Sequence, residues 1–261
     1  MSDLDGTLLD SEGKMHADNI HAVESLRKRG IKFSIATGRM MTAALSPLKG
    51  LEIDFPMITL NGCYVGHPEL FHKPIPNEII YRVLPIIDGI DATIVAMKKD
   101  NAFMAGHEHI ENKALENWVS NIEYVPKIKK QHLSSTTEFL ITGPKDAIDN
   151  FHNSCKEILG EDADIFTFPS LRYKPLWYSE IRAKNVNKGE SLQVFREHLG
   201  LKKDEVFIVG DYLNDIELFE EAGFSAAPSN ALEIVKEKAD YISPKSNDEL
   251  AIVEIIDRFF T

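Results

Sequence analysis

Val206-Phe207-Ile208-Val209-Gly210-Asp211-Tyr212-Leu213-Asn214-Asp215 is the stretch on which the reading of this chain turns. An apolar run breaks at a glycine and gives way to a carboxylate, an amide and a second carboxylate, the pattern of a buried strand that delivers polar groups at its end. A second aspartate-rich word with the chemistry of a strand end stands near the start, in Asp3-Leu4-Asp5-Gly6-Thr7. If these two strands lie side by side in a parallel sheet, four carboxylates meet in one crevice. Such a cluster holds its charge only with a cation. The pair of motifs therefore implies a divalent metal and chemistry on a phosphorylated substrate.

Working outward, strands and helices alternate. Residues 19–29 space Ile20, Val23 and Leu26 at helical intervals, and Gly30 closes the helix. Residues 31–36 read as a strand ending at Thr37-Gly38-Arg39, residues 40–48 as a helix, and 56–60 as a strand ending at Asn61-Gly62. This βαβαβ start predicts an α/β fold with a doubly wound, Rossmann-like parallel sheet. The pattern resumes late, with a helix over 188–199, the strand 206–209, a helix over 215–222 and a strand-like pair (224–226, 241–242) around a helix at 231–239.

Between them, after Pro74 and Pro76, the signals turn antiparallel. A helix over 77–87 precedes a hairpin (92–96 and 102–104) and a helix near 110–119. A strand at 138–142, a helix over 145–159 and strands near 164–168 and 176–181 follow. Residues 77–182 read as an α+β module inserted into the Rossmann-like sheet domain formed by residues 1–76 and 183–261, with the boundaries near Pro74–Pro76 and Ala183–Asn187.

The 261 residues are 43% hydrophobic, enough for a full core, and carry a formal net charge of -12. That acidity argues against a nucleic-acid partner. It also means that a phosphate site must reverse the field locally, with a metal and one or two cations. Cys63 and Cys155 are too few for a disulfide-built fold and read as free thiols. No membrane-length apolar run and no signal-peptide core is visible, so the chain is expected to be cytoplasmic and away from membranes.

The motifs carry distinct chemistry. Asp3 and Asp5 are two residues apart, so one carboxylate can attack phosphorus while the other exchanges protons with the leaving group. Asp211 is the natural direct metal ligand. Asp215 sits one layer behind it, Asn214 can reach a substrate phosphate, and Mg²⁺ suits the oxygen donors. Thr37-Gly38 closes a strand and opens a helix, which offers a hydroxyl and free N–H groups to a phosphate. Lys188-Gly189 opens another helix. A lysine at the positive end of a helix dipole is an unusual choice, explained either by a phosphate or aspartate cluster or by simple surface exposure. Arg39 reads as a phosphate clamp or a surface ion pair. His107-Glu108-His109 reads as a solvated loop, and Trp177 and Tyr178 as core packing.

In these motifs the chain resembles the haloacid dehalogenase superfamily, and within it the Cof-like phosphatases that carry a large α/β cap. Asp3-x-Asp5-Gly6-Thr7, Thr37-Gly38-Arg39, Lys188-Gly189 and Gly210-Asp211-x-x-Asn214-Asp215 match its four signature positions in order. The resemblance implies that Asp3 is the nucleophile and Asp5 the acid and base. Mg²⁺ would be held by Asp3, the main-chain carbonyl of Asp5 and Asp211. Thr37, Gly38, Lys188, Asn214 and the backbone at Leu4 would hold the phosphoryl oxygens. It implies hydrolysis of a small phosphomonoester, a sugar phosphate or similar metabolite, through an aspartyl-phosphate, with the cap reading the leaving group. Arg39, Asn61, Gly62, Arg172 and Lys174, with Tyr173, are candidates for contact with the substrate. Two departures stand out. Only Met1 and Ser2 precede Asp3, where relatives have a complete apolar strand, and the segment 246–250 lacks a glycine common in relatives, a change expected to touch only a surface loop. The rival readings are a phosphomutase of the same superfamily and a non-catalytic binder.

Overall fold

The computed structural model describes residues 1–66, 68–106, 115–170 and 173–260. His107-Glu108-His109 and Arg172 lie outside the described residues. The chain separates into two compact units. The first comprises Met1–Gly38, Ala44–His72 and Asn187–Thr261, the second Arg39–Ala43 and Lys73–Val186.

The first unit is built on a parallel sheet. Ser2 bridges in parallel to Ile35 on one side and to Val209 on the other. The ladder around it is tight: Asp3 N donates to Val209 O (2.8 Å), Val209 N to Met1 O (3.0 Å) and Ala36 N to Ser2 O (2.9 Å). Residues 1–3 thus have sheet partners on both sides. Ala36 bridges in parallel to Ile58, and Phe207–Val209, Phe224–Ala227 and Tyr241–Ile242 follow in parallel on the far side. Numbering these parallel segments along the chain, their spatial order is 3-2-1-4-5-6, which reverses direction between residues 1–3 and Phe207–Val209. Ligands of doubly wound sheets bind at such a reversal, beyond the carboxyl ends of the strands. An antiparallel edge, Tyr64–Gly66 and Phe71–His72, extends the sheet past Met57–Thr59 and has no clear signal in the sequence. Ala36, Ile58, Leu192, Phe195, Ile208 and Leu218 form a continuous buried core.

Several helices follow their sequence signals, Ala17–Lys28, Lys145–Leu159 and Lys188–Leu199 among them. Two break where proline removes a backbone donor. The expected helix over 77–87 is split into Asn77–Ile80, a 3₁₀ turn Tyr81–Val83 and Leu84–Ile87, with Pro85 in the last piece. The helix over 40–48 narrows to Met41–Leu45 followed by a 3₁₀ turn that contains Pro47. The C-terminal helix Ala251–Phe259, with Ile252, Ile255 and Ile256 buried, is an addition to the expected set.

The second unit contains a six-stranded sheet in the order Ile122–Tyr124, Ala102–Ala105, Thr93–Met97, Glu138–Gly143, Trp177–Ala183, Ala163–Pro169. All its pairings are antiparallel except that of Ala102–Ala105 with Ile122–Tyr124. The helix Lys145–Leu159 buries Ile148, Phe151, Cys155 and Leu159, spaced three or four apart, in one cluster with Phe139, Ile141 and Ile181. Cys63 and Cys155 are free, buried thiols. Burial pushes the Cys155 thiol up to about 12. Among the described residues no helix is long and apolar enough to cross a membrane.

Candidate active site

The two acidic motifs meet at the sheet reversal. Asp3 ends its strand buried at 6% exposure, and Asp211 lies two residues past the strand Phe207–Val209 at 8%. Asp215 is fully buried. Carboxylate oxygens of Asp3, Asp211 and Asp215 lie within 4.8 Å of one another.

Lys188 resolves the puzzle of a lysine at a helix start. Asn187 caps this helix by accepting from Glu190 N at 2.8 Å. Lys188, in the first turn, is fully buried and donates to Asp3 Oδ1 (2.6 Å) and Asp215 Oδ1 (2.7 Å). Two carboxylates outweigh both the helix dipole and the loss of water. Burial alone pulls the ammonium down, but Asp215 and Asp3 hold it above its ordinary value, so it stays charged.

Asp215 is a structural acceptor. Its Oδ2 takes Asp211 N (3.0 Å) and Tyr212 N (3.1 Å), while Oδ1 takes Lys188. It thereby fixes both the turn that carries Asp211 and the lysine. Thr7 hydroxyl donates to Asp211 Oδ1 at 2.6 Å, joining the two motifs directly. Gly6 adopts φ +81°, and a Cβ there would come within 2.4 Å of Asp211 Oδ2. Only glycine fits that turn.

Three carboxylates against one ammonium leave excess negative charge. Burial, then Asp215 beside it, pushes Asp211 up to about 7. Burial also raises Asp3 well above the carboxylate range, with Lys188 opposing and Asp215 and Asp211 adding to the rise. Buried carboxylates that resist ionising together are a fit for a divalent cation. Asp3 and Asp211 each commit one oxygen, to Lys188 and Thr7, and keep a second for an ion.

The remaining candidates fall as follows. The Asp5 side chain is exposed. Leu4 is buried, and its carbonyl accepts from Leu8 N and Leu9 N. Thr37 is buried at the end of its strand segment, and a Cβ on Gly38 would lie 3.0 Å from Asn61 Oδ1. Asn214 Nδ2 donates to Asn61 Oδ1 at 2.8 Å. Gly62 packs on the helix cap, its carbonyl accepting from Ser191 hydroxyl at 2.5 Å. Arg39 belongs to the second unit, buried at 4% exposure, as does the exposed Lys174. Tyr173 N donates to Ser170 Oγ at 2.9 Å.

Sequence reading missed a clamp of three asparagines. Asn230 Nδ2 donates to Gly6 O (2.8 Å), Asn19 Nδ2 to Leu8 O (2.8 Å) and Asn247 Nδ2 to Leu9 O (2.9 Å). They satisfy the carbonyls of the loop after Asp5 and come from distant points in the chain, so no local pattern announces them. Asn247 also corrects the expectation for 246–250. It is buried at 8%, and Leu250 takes φ +69° without a glycine. That segment supports the loop that follows Asp5 as well as forming surface.

A doubly wound sheet that gathers buried carboxylates and one buried lysine at its reversal point is a site suited to phosphoryl chemistry, and the family match and the named phosphatases among the relatives make the chain a phosphoric monoester hydrolase. The chain belongs to the haloacid dehalogenase-like hydrolase family, whose model matches residues 1–256. It is similar to the 5-amino-6-(5-phospho-D-ribitylamino)uracil phosphatase YitU of Bacillus subtilis, 23% identical, over 99% of this chain and 96% of that protein. It is similar to the HMP-PP phosphatase of Escherichia coli, 29% identical, over 88% and 83%. A solved structure from Thermotoga maritima, TM0651, superposes with a TM-score of 0.84 at 28% identity, over 100% of this chain and 96% of that one.

Proposed function

We propose that this chain is a cytoplasmic, Mg²⁺-dependent phosphatase that hydrolyses a small phosphomonoester, a sugar phosphate or similar metabolite, through an aspartyl-phosphate on Asp3. The observation that carries the reading is Lys188, fully buried between Asp3 and Asp215 beside Asp211. Folding alone gives no reason to build such a network, because well-packed apolar residues in place of the whole set would serve stability as well. A phosphoryl group attacked by Asp3 does require a fixed positive charge at that place.

Asp3 Oδ1, oriented by Lys188, attacks phosphorus and the ester oxygen leaves. Asp5, on the exposed side of the turn, gives that oxygen its proton and then takes one from the water that cleaves the acyl phosphate. Thr37, Gly38, Asn214 and the backbone N–H at Leu4 hold the phosphoryl oxygens, and Lys188 offsets the charge that develops on them. Mg²⁺, held by Asp3, Asp211 and the main-chain carbonyl of Asp5, would act as a Lewis acid toward the phosphoryl oxygens. The second unit, with Arg39 and the neighbourhood of Lys174 as candidates for contact, reads the leaving group as a cap. Relatives named for a phosphoribitylaminouracil and for HMP-PP support a small phosphorylated metabolite as substrate.

The test is a panel of phosphorylated metabolites and a generic aryl phosphate, each with Mg²⁺ and with a chelator. Release of inorganic phosphate that stops on chelation and returns with Mg²⁺ is the expected result. No phosphate release from any member overturns the reading. An isomerised sugar phosphate without free phosphate makes the enzyme a mutase.

A further inference from the structure

Residues 60–62 leave the strand Met57–Thr59 in an uncommon way. Leu60 and Asn61 both have φ +51°, and Gly62 has φ +98°. The left-handed conformation is costly for residues with a side chain and least so for asparagine. Leu60 and Asn61 are also buried, at 1% and 3% exposure. Such a turn persists only where its surroundings over-determine it.

Those surroundings are three separate segments of the site. Asn61 N donates to Thr37 O at 3.2 Å. Asn61 Oδ1 accepts from Asn214 Nδ2 at 2.8 Å. Gly62 O accepts from the Ser191 hydroxyl in the helix that Lys188 opens, and a Cβ on Gly62 would stand 2.2 Å from Asn187 O, at the cap of that helix. Thr37, Lys188 and Asn214 come from distant parts of the sequence, and this turn touches the segment of each.

We propose that Asn61 is a positioning residue for phosphoryl binding, an inference that rests on the phosphatase reading above. A side-chain amide has one acceptor face and one donor face. The Asn61 carbonyl selects the orientation of Asn214 in which Nδ2 faces it, occupying one of the two amide hydrogens and aiming the other at a phosphoryl oxygen. Unconstrained, Asn214 could turn its own carbonyl toward the anion and repel it. The left-handed backbone at Asn61 does a second job, holding Thr37 in register with the start of the Lys188 helix.

The two jobs separate by substitution. Asn61→Gly keeps the backbone conformation and removes the amide. Asn61→Ala removes the amide and adds strain. Asn61→Asp keeps the acceptor but sets a negative charge beside the phosphate. The experiment measures kcat/KM on a generic aryl phosphate with Mg²⁺, and inhibition by inorganic phosphate, for wild type, Asn61→Gly, Asn214→Ala and the double variant. Loss of one aligned hydrogen bond to an anion is worth about tenfold. Asn61→Gly is therefore expected to weaken phosphate inhibition and lower kcat/KM by about that factor, and the double variant to lose no more than Asn214→Ala alone. Wild-type values for Asn61→Gly, or losses that multiply in the double variant, overturn the proposal. Asn61→Asp should be at least as impaired as Asn61→Gly, and a more active Asp variant overturns the account of charge. Absence of turnover in the wild type would strike the phosphatase reading instead. The Asn61–Asn214 coupling is then read from denaturant unfolding of the same four proteins, where additive stabilities overturn the positioning role and non-additive ones support it.

Discussion

In the first unit the strand segments around residues 1–3 are parallel, and Ile35, Ala36, Ile58, Ile208 and Val209 are buried without alternation. In the second unit the strand Glu138–Gly143 is buried along its whole length too, yet its residues alternate in kind. Phe139 and Ile141 join the helix residues Phe151 and Cys155 in one core. Glu138, Leu140 and Thr142 take the other face, in register with Arg182, Glu180 and Tyr178 of the neighbouring strand. There Arg182 lies 3.7 Å from Glu180 and stacks 4.0 Å over the Phe166 ring. The difference follows from how each sheet is covered. A parallel sheet with helices on both faces has no place for charge except at its strand ends, so acids and lysine gather there. An antiparallel sheet with one face given to helices can carry charge in mid-strand on the other.

The contrast can be broken most sharply at the strand ends. Asp3→Asn is expected to lower kcat by roughly 10³- to 10⁶-fold, the loss that follows removal of a covalent nucleophile, with an unchanged circular dichroism spectrum. Near-wild-type turnover would remove Asp3 from that role. Asp5→Asn, at an exposed position, should cost roughly 10²- to 10⁴-fold in kcat and leave the melting temperature where it was. Lys188→Met should both abolish turnover and destabilise the metal-free protein, by about 3–5 kcal/mol, because Asp3 and Asp215 lose their buried partner. Denaturant unfolding reads this directly. Phe139→Ala, on the packed face of the second unit, should cost about 3–5 kcal/mol through cavity formation. Equal losses from Phe139→Ala and from Leu140→Ala would show that the two faces of that sheet are less distinct than their packing suggests.

A separate expectation concerns pH dependence. In the folded, metal-free protein Asp211 is pushed up to about 7 from an ordinary 3.8. Between those values the folded state holds a proton that the unfolded chain has released. The contribution of Asp211 to stability is therefore full below about pH 4 and falls as pH rises toward 7. Asp211→Asn should flatten that slope in metal-free buffer, and an unaltered slope would show that Asp211 ionises freely.

Much of the site was legible because chemistry at strand ends leaves a local mark. An apolar run, a glycine and an aspartate in succession identify Asp211, and two aspartates before a glycine and a threonine identify Asp3. The helix that Lys188 opens was legible as well, though not its cap at Asn187. The breaks at Pro47 and Pro85 were also written locally, though helical spacing alone passed over them. The asparagine clamp of Asn19, Asn230 and Asn247, the hydroxyl bridge from Thr7 and the left-handed turn at Leu60–Asn61 were not. Each depends on a partner more than ten residues away, or on backbone angles that no spacing rule encodes.

By itself the sequence determined the strand and helix periods, the residue types at each strand end and the order of the four motifs, because these are set by neighbours along the chain. Only the tertiary structure decided that Lys188 lies between Asp3 and Asp215, that Asp215 is an acceptor for backbone N–H groups, and that Asn61 holds Asn214. Those outcomes depend on burial and on distances between remote segments, which exist only once the sheet has formed.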